Sequence, residues 1–290
     1  MNPPLSHPSL DVSGRFFVVT GGTQGLGLEI AKQLKQCGAS GVVLVSRSPS
    51  KAEAAIREIG DHCPSSTCHA VFVKADMAVS SEVSSIVPRA VEELAKHCGS
   101  PIVITGVVNA AALTARGNLA STTPDMFDSQ FSVNVRGPFL LTQAASKHMI
   151  EAGVPRGLGS VVNICSVAAD GGAPFIMGYS CAKSALVTLT KNNAAELAPK
   201  GIRVNGINMG WTLTENEHKL QSEVHKNERW HEEADKSVPL GRILRPADVA
   251  SSVLFLLSGA STMMTGAILD LHPEIASGML SLASEDTPNR

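Results

Sequence analysis

Phe16-Phe17-Val18-Val19-Thr20 runs without a break into Gly21-Gly22-Thr23-Gln24-Gly25-Leu26-Gly27, and an apolar-periodic segment, Gly25–Cys37, follows. A β-branched and aromatic run, a glycine-rich turn and an amphipathic helix in that order open a βαβ unit. Such a turn aims backbone N–H groups and the positive end of a helix at a pyrophosphate. Gly21 permits the tight turn, Gly25 the close approach of a phosphate, and Gly27 the contact of helix with strand. Thr20, Thr23, Gln24 and Leu26 share the same turn and join them as candidate cofactor contacts. A glycine-rich loop alone is common in plain turns. The strand before it and the helix after it point instead to a dinucleotide.

Working outward, short β-branched runs alternate with longer amphipathic segments, the pattern of a parallel sheet covered by helices on both faces. Strands are predicted at Arg15–Thr20, Gly41–Ser46, His69–Lys74, Ile102–Val108, Ser160–Cys165, Ile202–Asn208 and Ala267–Leu271. Helices are predicted at Gly25–Cys37, Ser50–Gly60, Ser80–His97, Pro124–Glu151, Met177–Ala198 and Pro246–Ser258. The 290 residues read as a single α/β domain with a core over about residues 14–271. The ends, Met1–Asp11 and Ala283–Arg290, read as frayed.

Composition narrows the function classes. With 43% hydrophobic and 17% charged residues and a net charge of −2, a soluble globular protein is expected, with neither nucleic acid nor membrane as partner. The longest apolar stretch, Pro101–Leu113, is too short to span a bilayer. Six scattered cysteines without a CxxC pair favour a cytoplasmic setting over a disulfide framework. No metal site is expected: Cys63, Cys68 and His69 lack a second ligand pair at zinc spacing.

About twenty residues beyond the glycine turn, at the end of the second predicted strand, a carboxylate would bind a ribose 2′-hydroxyl and repel a 2′-phosphate. The chain has Ser46-Arg47-Ser48 there instead. Arg47 can give charge-assisted hydrogen bonds to a phosphate, and the serines further ones, so NADP(H) is preferred to NAD(H), which stays open.

Tyr179-Ser180-Cys181-Ala182-Lys183 opens a long predicted helix, placing Tyr179 and Lys183 on one face. A phenol titrates near pH ~10, and a neighbouring ammonium is expected to lower it toward neutrality. That pair can deliver a proton to the alkoxide that forms when a carbonyl accepts hydride, or remove one in reverse. Ser166 ends the fifth strand at the carboxyl edge of the sheet, where its hydroxyl can hold the substrate oxygen. Asn134 is a poor interior residue for the helix predicted around it, and is expected to anchor a water beside Lys183.

With these residues in place, the chain resembles a classical short-chain dehydrogenase/reductase over roughly Gly14–Leu271. Asn134, Ser166, Tyr179 and Lys183 match that family's catalytic tetrad, and Thr20, Gly21, Gly25 and Gly27 its glycine turn. Asp76, with Met77 beside it, matches its adenine-contacting position, Asn109 and Ala110 the motif after the fourth strand, and Gly210, Thr212 and Thr214 the nicotinamide-amide contacts. The resemblance implies a Rossmann-type doubly wound fold with a seven-stranded parallel sheet, a lysine that also binds the nicotinamide ribose, and assembly as a homodimer or homotetramer. Three positions depart from the pattern: Ala111 for a glycine, Met209 for a proline, and His272-Pro273-Glu274 for Asp-Gly-Gly.

Specificity in that family resides after the sixth strand, here Trp211–Arg242. This polar stretch carries His218, His225 and His231 without an i, i+4 pair, and reads as a solvated lid helix rather than a metal site. A polar lid suits a small hydroxylated substrate, a sugar or polyol, better than a hydrophobic ketone or 3-oxoacyl chain. A non-catalytic NADP(H)-binding sensor on the same fold is the other reading; its usual mark, a broken tetrad, is absent.

Overall fold

The structure, a computed structural model, describes residues 10–64, 66–99 and 101–273. Seven strands form one sheet: β1 Phe16–Thr20, β2 Gly41–Ser46, β3 His69–Lys74, β4 Ile104–Asn109, β5 Gly159–Ile164, β6 Ile202–Met209 and β7 Ile268–Leu271. All pairings are parallel, in the order β3-β2-β1-β4-β5-β6-β7. The seven expected strands are all present, with ends shifted by at most two residues. The chain reverses its direction of winding between β1 and β4, and open α/β sheets bind ligands at that switch, beyond the carboxyl ends of the strands.

Alternation along the strands fills two cores. On one face Phe17 and Val19 of β1 pack with Ile30 and Leu34 of α1 (Gly25–Gln36), Ile59 of α2 (Pro49–His62) and Val253 of α10 (Pro246–Leu257). On the other, Val18 and Val107 pack with Leu94 of α4 (Ile86–Cys98), Leu141 of α6 (Gly137–Glu151) and Leu197 of α7 (Met177–Leu197). Each fully buried aliphatic of this kind contributes roughly 1.5–3 kcal/mol relative to exposure.

Two predicted helices are broken. The segment expected at Ser80–His97 is split into α3 (Ser80–Ser84) and α4 with Ser85 between them. Pro88 supplies the reason: its ring would meet the carbonyl of Ser84 and it has no N–H to give. The segment expected at Pro124–Glu151 is α5 (Pro124–Phe131), a π turn over Ser132–Arg136, and α6. The expected single lid helix is a pair, α8 (Glu215–His225) and α9 (Trp230–Lys236). It is not merely solvated: Trp230, Ala234, Val238 and Ile243 form a separate buried cluster, with Trp211 and Leu213 against it. Of the ends expected to fray, residues 1–9 and 283–290 lie outside the described residues, as does Glu274 of the expected C-terminal departure. Asp11 is tied in, its carboxylate accepting the Ser13 N–H at 2.9 Å.

Candidate active site

A cleft of about 1120 Å³ opens over the carboxyl edge of the sheet, between the glycine turn and the lid. Its floor is fixed by backbone. Gly21 N–H donates to Val45 O at 2.8 Å, joining the turn to β2. A Cβ on Gly27 would lie 2.3 Å from Gly21 O, so helix α1 reaches the strand this closely only with glycine there. Gly25 has φ +51° and faces the cleft, with only the Thr214 side chain within 4 Å of a Cβ built on it. The first turn of α1 thus opens on the cleft with only Thr214 close beside Gly25. This cradle fits a pyrophosphate.

Of the expected cofactor residues, Gly21, Thr23, Gln24, Gly25, Leu26 and Gly27 line the cleft at the turn, and Ser46, Arg47, Ser48, Asp76 and Met77 at its adenosine end. Ala110, Gly210 and Thr212 line the cleft as well, and Thr214 stands over the turn, its side chain 3.6 Å from a Cβ built on Gly25. Thr20 and Asn109 do not line it. Thr20 is fully buried; its hydroxyl accepts the N–H groups of Ala110 and Ala111 at 3.0 Å, tying β1 to the loop after β4. Asn109 is turned into the sheet, where its amide donates to Asn163 Oδ1 at 2.8 Å. Both act from behind the cleft wall.

Arg47 projects with 78% of its side chain exposed, 3.9 Å from Asp76 Oδ2. Lys51, which the sequence reading missed, also lines this end, its ammonium donating to Gln24 Oε1 at 2.5 Å. A lysine at the third position of a helix that begins at the end of β2 was the available signal. Two cations therefore flank the position where a carboxylate would mark NAD(H).

Ser166, Tyr179 and Lys183 line the other end. Local hydrogen bonds fix their spacing. Ser166 Oγ caps the short turn Val167–Asp170, accepting Ala168 N–H at 3.2 Å. From α7, Ser180 Oγ donates to Ala168 O at 2.5 Å and Ser184 Oγ to Ala169 O, so the tyrosine helix is pinned to the turn that carries the serine. Lys183 Nζ donates to Ile164 O at 2.6 Å and lies 5.6 Å from the Tyr179 ring centroid.

Asn134 is completely buried in the π turn and does not reach the cleft. Its Oδ1 accepts Leu113 N–H at 3.1 Å; its amide donates to Leu113 O and to Gln130 Oε1, both at 2.9 Å. These bonds hold the loop after β4, on which Leu113 lines the cleft.

The electrostatics also differ from expectation. Burial pushes the Tyr179 phenol up to about 12, with Cys165 and Glu217 adding to the rise, while the hydroxyl of Ser166 opposes it. Burial pushes Lys183 down to about 8. Desolvation is the largest influence on both groups, since each is buried in the cleft wall. At neutral pH Tyr179 is therefore a phenol and Lys183 mainly an ammonium, both holding their protons.

Residues 21–271 match the family described as enoyl-(acyl carrier protein) reductase. The chain is 32% identical to gluconate 5-dehydrogenase of Gluconobacter oxydans over 91% of its length and 96% of that protein's. It is 31% identical to L-xylulose reductase of Bos taurus, covering 89% and 94%. The chain belongs to the short-chain dehydrogenase/reductase family. A solved structure of NAD+-bound xylitol dehydrogenase shares its fold with a TM-score of 0.77 and 26% identity, covering 90% of this chain and 98% of that one. As a member of that family the protein is an NAD(P)-dependent oxidoreductase acting on CH–OH groups.

Of the three departures from the family's pattern, His272 and Pro273 do not line the cleft, and Glu274 lies outside the described residues. Ala111 and Met209 both line the cleft. Ala111 Cα lies 3.1 Å from a Cβ built on Gly21, so the glycine at 21 lets the loop after β4 come this close to the turn. Four residues that no sequence motif marks also line the cleft: Arg116, Phe175, Glu217 and Leu220. They come from loops and the lid.

Proposed function

We propose that this protein moves a hydride between NADP(H), in preference to NAD(H), and the carbonyl or secondary alcohol of a small polar substrate, a sugar or polyol. The observation that carries the reading is the meeting of Ser166, Tyr179 and Lys183 at one end of a cleft whose other end is a phosphate cradle. When bound, the nicotinamide supplies or accepts the hydride.

The cradle residues Thr23–Gly27 would hold the pyrophosphate, and Ser46, Arg47, Ser48 and Lys51 a 2′-phosphate, with Asp76 and Met77 beside the adenine. Tyr179, Lys183, Gly210, Thr212 and Thr214 would border the nicotinamide end. In reduction, Tyr179 Oη gives its proton to the substrate oxygen, and Ser166 Oγ hydrogen-bonds that oxygen and holds it in place. Lys183, whose ammonium is held by Ile164 O, stabilises the phenolate left behind. In oxidation the same proton returns to Tyr179. Asn134 keeps the loop at Leu113 in position. The names of the relatives, a gluconate dehydrogenase and a xylulose reductase, support a sugar-sized substrate.

Assembly as a homodimer or homotetramer is supported by an apolar hollow where Phe131, Val135 and Phe139 meet Leu189 of α7. A cytoplasmic setting is supported by the thiols of Cys37, Cys68, Cys98, Cys165 and Cys181, which no disulfide joins.

Tyr179→Phe tests the assignment. It removes only the hydroxyl, so turnover on a panel of ketoses and polyols should fall by about 10²–10⁴-fold while cofactor affinity stays within a few-fold. Steady-state rates and a fluorescence titration of NADPH check both. Unchanged turnover would sink the mechanism, and tight cofactor binding without turnover in the wild type would favour the sensor.

A further inference from the structure

The substrate end of the cleft holds an acidic group for which the hydride-transfer chemistry has no use. Glu217 stands in the first turn of α8, its N–H donating to Thr214 Oγ1 at 3.2 Å. Its Oε1 accepts two hydrogen bonds, from Trp211 Nε1 at 2.8 Å and Gln221 Nε2 at 2.7 Å. Both fall on the same oxygen. Among the described residues no group donates to Oε2 and no cation pairs with this carboxylate.

Glu217 lines the cleft, and its charge is felt at Tyr179, so the two side chains look into the same space. Trp211 lines it too, its indole fixed by the bond to Glu217 and stacked on Trp230 with centroids 5.0 Å apart. An aromatic wall beside a carboxylate oxygen with free acceptor capacity suits a carbon chain bearing several hydroxyls: the C–H face meets the ring and an O–H donates to the carboxylate. The same charge, in a partly enclosed site, repels an anion. Arg116, on the same side of the cleft, is the competing feature; its guanidinium lies 5.9 Å from the Phe175 ring centroid.

Resting on the oxidoreductase reading above, we propose that Glu217 sets substrate choice. Its Oε2 accepts a hydrogen bond from a substrate hydroxyl, and its charge excludes substrates that carry a carboxylate or phosphate. The enzyme then works on neutral polyols and ketoses and rejects sugar acids, which separates it from its gluconate-named relative.

The test compares kcat/KM for xylitol, sorbitol and L-xylulose with that for gluconate and 5-ketogluconate, in the wild type and in Glu217→Gln. Glutamine keeps an acceptor for Trp211 and Gln221 and removes the charge. The wild type should favour the neutral substrates by about 10-fold or more, and the variant should narrow that ratio by about 10-fold, more so at low ionic strength. NADPH affinity, read by fluorescence titration, should not move. A wild-type ratio near one or in favour of the acids overturns the proposal, as does an unchanged ratio in a variant that still binds NADPH. Calorimetric titration of xylitol and xylonate into the NADP-loaded protein reads the same preference without turnover. Absent turnover with xylitol still bound ahead of xylonate breaks the hydride-transfer reading and leaves the Glu217 assignment standing; equal binding, or none of xylitol, overturns that assignment.

Discussion

The glycine-turn wall of the cleft and the lid across it are held in place by different means. The wall is main chain continuous with the principal cores: Gly21 is bonded to β2, Thr20 to the loop after β4, and Gly27 is pressed on Gly21 O. The lid carries a small core of its own around Trp230 and is fastened mainly by side chains. Arg245 pairs with Asp235 at 2.6 Å and Arg242 with Asp248 at 2.6 Å, while one backbone bridge joins Thr212 to Leu244. A change in the wall therefore disturbs folding and cofactor together. A change in the lid can alter the substrate end while the sheet stands. One scaffold can keep its cofactor and vary what it reduces.

The largest effect expected from this difference is that of Gly27→Val. Its Cβ would fall 2.3 Å from Gly21 O and 3.0 Å from Gly22 Cα, neither of which can yield without moving the strand. Overpacking of this kind costs about 1–3 kcal/mol or more, and the displaced turn no longer presents its N–H groups. NADPH affinity should drop by more than about 100-fold, the equivalent of ~2.7 kcal/mol, with a lowered Tm. Retained affinity in a folded variant would show that the wall is more pliant than its packing implies.

Arg47→Asp ranks next and acts on the wall without touching its packing, since the side chain is 78% exposed. The carboxylate should repel a 2′-phosphate and accept from a 2′-hydroxyl, moving the NADP(H)/NAD(H) preference by roughly 10–100-fold toward NAD(H). Lys51 remains nearby and limits the change. Titrating both cofactors checks it; an unmoved preference would shift the burden of 2′-phosphate recognition to Lys51 and the two serines.

What could be read in the sequence follows the same division. The strands, the glycine turn and the Ser166, Tyr179 and Lys183 positions rest on local patterns, and their placement on the sheet edge follows from the order of strands and helices. The π turn was hidden because one extra residue per turn leaves no periodic trace, although Asn134 in a helix interior was a hint. Pro88 carried the break between α3 and α4 openly. The lid was misjudged because its core joins residues far apart in sequence: Trp211 stacks on Trp230, and Ile243 closes beneath them. A charged stretch conceals so sparse an apolar set. The Tyr179 shift was missed for another reason, since spacing shows an ammonium nearby but not the burial that raises the phenol.

Trp230→Ala tests the lid side and should give the smallest change. Trp230 is 3% exposed, and its indole N–H has no acceptor among the described residues. Its worth is thus mostly ring packing, about 3–5 kcal/mol for a buried aromatic. That loss falls on a cluster apart from the two main cores, so it should appear as local opening rather than as unfolding of the sheet. Hydrogen exchange should quicken over residues 211–243, and KM for a polyol should rise by about 10-fold as Trp211 loses its support and Glu217 its fixed partner. NADPH affinity should change by only a few-fold, because the glycine turn, Arg47 and Lys51 all stand outside the lid. If NADPH affinity collapsed along with KM, the lid would be part of the cofactor wall after all, and the two halves of the cleft would be one cooperative unit.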